Sequence, residues 1–97
     1  MAGPTPGGAR SALNVTAPTV IKASPGVLFK VVVVTPPSAN GGIYDWASTT
    51  GLAATNKIDT INSSGAAAGQ DYVLDWPCLV GITVDPGTGG VMSVSYT

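Results

Sequence analysis

Charge is what this sequence has least of: four basic residues and five aspartates in 97 positions, with no glutamate and no histidine. Soluble domains usually carry charge on about a quarter of their residues, whereas the share here is 9%. The absent histidine and glutamate are the side chains most often tuned near neutral pH for general acid–base catalysis. The carboxylates that remain, Asp45, Asp59, Asp71, Asp75 and Asp85, fall in short strands or turns and read as edge charges and turn caps. A glycosidase-like pair among them would need a cleft that the pattern does not announce.

The single cysteine, Cys78, allows neither a disulfide framework nor a zinc or iron site. Set between Pro77 and Leu79, with no histidine to activate it, it reads as a small buried hydrophobe. No Asp-x-Asp-x-Asp loop offers calcium its oxygens. Gly41-Gly42 and residues 87–90 are followed by neither a helix nor Lys-Ser/Thr, so they are not phosphate cradles. Arg10, Lys22, Lys30 and Lys57 are too few and too scattered to neutralise a run of phosphates, which argues against a nucleic-acid partner. No run approaches the roughly 20 apolar residues of a membrane helix. The opening MAGPTPGGARS lacks the charged start and apolar centre of a signal peptide, so the expected site of synthesis and assembly is the cytoplasm. The expectation is a protein with no catalytic residue, no cofactor and no metal.

What the chain does contain is apolar and small. Hydrophobic residues make up 44% of it, and the exterior must be built from Ser, Thr, Gly, Ala and Asn. Such a surface costs little to desolvate, which suits packing against copies of itself or a larger assembly. A chain of 97 residues has room for one domain that buries about two-thirds of its unfolded surface, a narrow margin that oligomerisation widens. The alternative is a monomer with a neutral, serine- and threonine-rich exterior.

Alternation of apolar and polar residues recurs along the chain and predicts strands. Residues 1–11, with two prolines and three glycines, show no period and read as a flexible N-terminal arm with Arg10 as its only charge. The domain is expected over 12–97. Its first strand, from Ala12, is broken by Pro18 and belongs at a sheet edge. The run 26–35, GVLFKVVVVT, is the most strongly β-forming, because β-branched side chains suit a pleated surface. Its apolar residues on both faces predict cover on both sides, with Lys30 on the face of Leu28 and Val32. Short strands are expected at 43–47 and 57–62, and a loop with one possible helical turn near Leu52-Ala53-Ala54. In residues 71–97, Tyr72, Leu74 and Trp76 share one face. Two further runs, through Val80, Ile82 and Val84 and through Met92, Val94 and Tyr96, flank the turn 85–90 and predict a β-hairpin. Seven or eight short, mostly antiparallel strands without a convincing helix make an all-β fold, a small β-sandwich in preference to a barrel. The sequons at Asn14 and Asn62 read as chance matches without a secretion signal.

Certain stretches together resemble small structural proteins of tailed-bacteriophage virions, which occur as short chains or as the last domain of longer ones. The resemblance rests on Ile43-Tyr44-Asp45, on Leu74-Asp75-Trp76-Pro77-Cys78 with Gly81-Ile82, and on Pro86-Gly87-Thr88-Gly89 before the final Val-Ser-Tyr strand, and it covers residues 11–97. It implies a capsid decoration or head-fibre protein, present in many copies in the virion, trimeric, and bound to the major capsid protein. A tail or collar component is nearly as compatible. The resemblance carries no catalytic residues. The residues expected at an oligomer or capsid interface are Arg10, Leu28, Val31, Val33, Tyr44 and Trp46, with Val32 beside Leu28. The competing class is a carbohydrate-binding module recognising host-surface glycans, for which Tyr44, Trp46, Trp76 and Tyr96 are the candidate stacking rings.

Overall fold

The computed structural model of the chain describes residues 9–97, so most of the expected arm lies outside the described residues. The described chain forms eight strands: β1 (Arg10–Val15), β2 (Thr19–Lys22), β3 (Gly26–Thr35), β4 (Gly41–Tyr44), β5 (Lys57–Ile61), β6 (Asp71–Cys78), β7 (Ile82–Asp85) and β8 (Val91–Tyr96). They assemble into two four-stranded sheets, ordered β1-β8-β3-β6 and β2-β7-β4-β5, and every pairing is antiparallel. The expected β-sandwich is therefore the observed one. β1 pairs with β8, β2 with β7, β3 with β6 and β4 with β5. A ribbon of nested strand pairs has been rolled so that only the β4–β5 connection stays within one sheet. That connectivity is a jelly roll.

The core lies between the sheets. Leu28, Val31 and Val33 of β3 and Met92 and Val94 of β8 meet Ile43, Ile61, Ile82 and Val84 of the opposing sheet, with Val15 and Cys78 at the margins. Tyr72 and Leu74 pack against this cluster from β6, as their shared face predicts.

Several expectations change on contact with the fold. Val80–Val84 and Met92–Tyr96 do not form a hairpin, because β7 has both edges occupied, by β2 and β4, and β8 is occupied by β1 and β3. Residues 86–90 instead arch from one sheet to the other. The arch is shaped by the Asp85 carboxylate, which accepts the Gly87 N–H at 2.9 Å, and by Gly87 and Gly89 in the left-handed region. Strand β1 begins inside the stretch expected as an arm, since Arg10 and Ser11 pair with Tyr96 and Ser95 and so complete the ladder that β8 offers. The 43–47 strand begins earlier and ends at Tyr44. The helical turn falls at Ala54–Asn56, two residues later than the apolar Leu52 suggests.

Strict alternation also fails within β3. Between Leu28 and Lys30 the chain advances two residues while β8 advances one, from Tyr96 to Ser95, and β6 advances three, from Trp76 to Val73. The count thus rises by one from strand to strand toward the β6 edge, with Asp75 at φ 46° taking up the last extra residue. The bulge at Phe29 resets the pleat, so Leu28 shares the buried face with Val31 and Val33, and Lys30 turns away from them. The opposite face of β3 has no cover from the described residues: Val32 is half-buried and Val34 exposed.

The 85–87 backbone passes directly over the start of β4, which neighbours β7 in the same sheet, and leaves no room for a side chain on Gly41, where a Cβ would collide with the Asp85 carbonyl oxygen. Gly41→Ala is expected to destabilise the domain by about 1–3 kcal/mol through overpacking. Urea unfolding followed by tryptophan fluorescence reads this as a lower midpoint with an unchanged slope.

Candidate functional site

Beyond Tyr44 the chain leaves the ladder, and Asp45 fixes the path of the loop that begins there. Its backbone N–H donates to the Asn56 carbonyl at 2.9 Å. Its carboxylate accepts three successive backbone N–H groups from the β6–β7 loop: Leu79 at 3.0 Å, Val80 at 2.9 Å and Gly81 at 3.3 Å. Partial burial pushes this carboxyl up, but the three donors outweigh that effect and hold it below its ordinary value. Gly81 is required at the third position because a Cβ there would lie 2.7 Å from the Lys22 carbonyl and 2.9 Å from that of Trp46.

Trp46 is fixed at both ends. Its carbonyl accepts the hydroxyl of the fully buried Thr83 at 2.7 Å, and its indole N–H donates to the Thr50 carbonyl at 2.8 Å. Asn56 closes the same loop, accepting from Ala53 N–H at 3.0 Å and donating to the Gly51 carbonyl at 3.1 Å. The result is a rigid wall beside the β5 and β6 edges. Between them lies an open cleft of about 390 Å³ lined by Trp46, Ile58, Lys57, Trp76, Leu79 and Val80, with Asp45 at its base. Trp46 and Trp76, thirty positions apart in sequence, share this cleft. Trp76 is 46% exposed and Leu79 75%, so the rim is apolar and open to solvent.

A second surface is the outer face of the β1-β8-β3-β6 sheet. Leu13, Lys30 and Val32 with Ser11, Ser93 and Ser95 line a shallow groove of about 240 Å³. Val73, cross-strand to Lys30, extends it at 65% exposure. Lys30 and Asp71, 3.8 Å apart and both half-exposed, form an ion pair on this face, worth about 0–1 kcal/mol at such exposure.

Of the residues expected at an interface, Leu28, Val31 and Val33 are fully buried in the chain's own core. This corrects their assignment: the bulge at Phe29 turns all three inward. Tyr44 is also buried, with the Lys57 ammonium 5.7 Å from its ring centroid and Gly42 beneath the ring. Trp46 lies in the cleft, half-buried, and Arg10 is exposed on β1. Val32 is on the outer face. Of the candidate stacking rings, Trp46 and Trp76 come together, while Tyr44 is buried and Tyr96 packs against the core. Sequence reasoning read Asp45 only as an edge charge or turn cap within Ile43-Tyr44-Asp45 and gave no site role to Leu79, Val73 or Leu13; the loop that Asp45 holds lies more than thirty residues away. Cys78 is buried, as its neighbours suggest, and burial together with the nearby Asp45 carboxylate pushes its thiol up to about 11.

Asp45→Asn should lower stability by about 1–3 kcal/mol at neutral pH, because the amide keeps one neutral acceptor oxygen and turns an NH2 toward at least one of the three N–H groups, which are spread over both carboxylate oxygens. The carboxyl is depressed in the folded state, so its contribution is fully present above the ordinary value of 3.8 and is lost as pH falls through the lower folded value. Urea midpoints of the two proteins, measured from neutral pH into strong acid, are expected to converge in that acid range.

Set against known protein families, curated proteins and solved structures, this chain finds no match.

Proposed function

We propose that this protein is a non-enzymatic structural component of a bacteriophage virion, a capsid decoration or head-fibre protein that binds the major capsid protein as a symmetric oligomer, most simply a trimer. The observation that carries the reading is the outer face of the β1-β8-β3-β6 sheet. It presents Leu13, Val32, Val34 and Val73 among three serines, with one weak ion pair and no other charge along its groove. A flat, nearly uncharged sheet face is desolvated at low cost and supplies apolar area to a partner. Jelly rolls serve viral capsids, lectins and cupins alike, so the architecture accommodates the role and the surface argues for it. The resemblance of residues 11–97 to small virion proteins points the same way.

Co-sedimentation with expanded capsids that lack the protein tests the reading. Wild type should pellet with the shells, and Leu13→Asp or Val73→Asp should reduce recovery about tenfold by burying a charge at the contact. Both positions are exposed, so the variants should melt like wild type. A protein that stays in the supernatant with every capsid form overturns the assignment.

A second reading, glycan binding, has its own observation in the cleft that Trp46 and Trp76 share, with Lys57, a hydrogen-bond donor, also in its lining. If a sugar stacks there, added host-surface polysaccharide should shift tryptophan emission in wild type and leave Trp76→Ala unchanged. An unchanged spectrum across those polysaccharides removes this reading.

A further inference from the structure

Almost every charged side chain among the described residues has a partner within the chain. Lys22 donates to the Thr97 carbonyl at 3.0 Å, Lys30 pairs with Asp71 at 3.8 Å, and Lys57 lies over the Tyr44 ring. Asp45 holds the 79–81 loop, Asp59 accepts the Thr60 N–H at 2.8 Å and Asp85 accepts that of Gly87. Two exposed groups of opposite sign remain without a partner among the described residues: Arg10 and Asp75.

They stand at opposite edges of the same sheet and at the same height. Arg10 is opposite Tyr96, Tyr96 is opposite Leu28, and Leu28 is opposite Trp76, the residue next to Asp75. One row of cross-strand partners therefore runs from Arg10 on the β1 edge to Trp76 on the β6 edge. The three antiparallel steps from β1 to β6 make these edge strands run in opposite directions. A second copy related by rotation about an axis parallel to the strands keeps every row at its own height. It brings the β1 edge of one molecule antiparallel to the β6 edge of the next, with Arg10 facing Asp75 and the exposed Trp76 ring. An arginine over an indole beside a carboxylate gains both an ion pair and a cation–π contact. Trp76 and Leu79 supply apolar area on the same edge.

We infer that this chain self-associates head to tail through these two edges, the guanidinium of Arg10 in one copy docking on Asp75 and Trp76 of its neighbour. Pro77 has no N–H and Asp75 sits in a left-handed bulge, so a continuous strand ladder is blocked at that end and side chains carry the contact. A heterologous contact of this kind closes into a ring when its rotation divides a full turn. The inference gives the oligomer of the proposed function a specific surface and rests on that reading only for its setting, since the contact itself is measured in solution without capsid.

Sedimentation velocity of the full chain at micromolar concentration, with Arg10→Glu, Asp75→Lys and the double variant, tests it. Wild type should be oligomeric, and each single reversal should weaken association about tenfold or more. The double variant should recover it, because every edge again meets its opposite. An equimolar mixture of the two single variants should also associate, one having two negative edges and the other two positive ones. Asp75→Asn keeps a residue that accepts the left-handed backbone and should weaken association as well; circular dichroism and thermal melting confirm that each variant is folded. A monomeric wild type overturns the inference. So does a folded single variant that associates like wild type, or a folded double variant that stays monomeric. The two proposals fail separately: a charge-swappable oligomer that ignores capsids removes the virion role and keeps the edge contact, and capsid binding by a monomer removes the edge contact and the oligomer and keeps the virion role.

Discussion

One carboxylate holds this jelly roll at one of the short crossings between its two sheets. Between β6 and β7 the chain must leave one sheet and enter the other within residues 79–81, and three consecutive backbone N–H groups are turned away from any ladder. Unpaired donors in a partly buried loop are costly, and Asp45 accepts all three. The same residue follows the end of β4 and starts the loop that carries Trp46, whose carbonyl then satisfies the buried Thr83. The cleft wall, the inner end of β7 and the exit of β6 therefore share one anchor. Its strength derives from fixed geometry: a charged acceptor facing three donors gains more than neutral pairs would.

Much of the fold is legible in the sequence, and the places where it is not have a common cause. β-Branched content located the strand at 26–35, and alternation located those at 57–62, 71–76 and 91–96, because apolar period two needs no knowledge of the partner strand. Partner choice is different. The turn 85–90 carries the residues of a hairpin, yet β7 and β8 lie in different sheets, since pairing is decided by which edges are already occupied. Faces are misread wherever a bulge inserts a residue. Phe29 moves Leu28 to the side of Val31 and Val33, and with it the expectation that these residues meet a second subunit. Bulge positions depend on the count in the neighbouring strand, which a single strand's sequence does not contain.

The candidate surfaces were legible only in part. Aromatic content pointed to Trp46 and Trp76 as stacking rings but gave no reason to join them, and burial removed Tyr44 from the set. The low charge pointed to a surface that is easily desolvated, and the fold shows where one lies: the outer face with Leu13, Val32 and Val73. Arg10 was expected in an arm; as the first residue of β1 it becomes part of a row that spans the sheet.

Cys78 ends β6 inside the sandwich, sealed from water and made a poor thiolate by its surroundings. Its sulfur becomes available to solvent only when the two layers part at that corner. Nature has thus left a single chemical gauge in the molecule, one whose labelling rate under native conditions counts how often the layers breathe, without any probe being introduced.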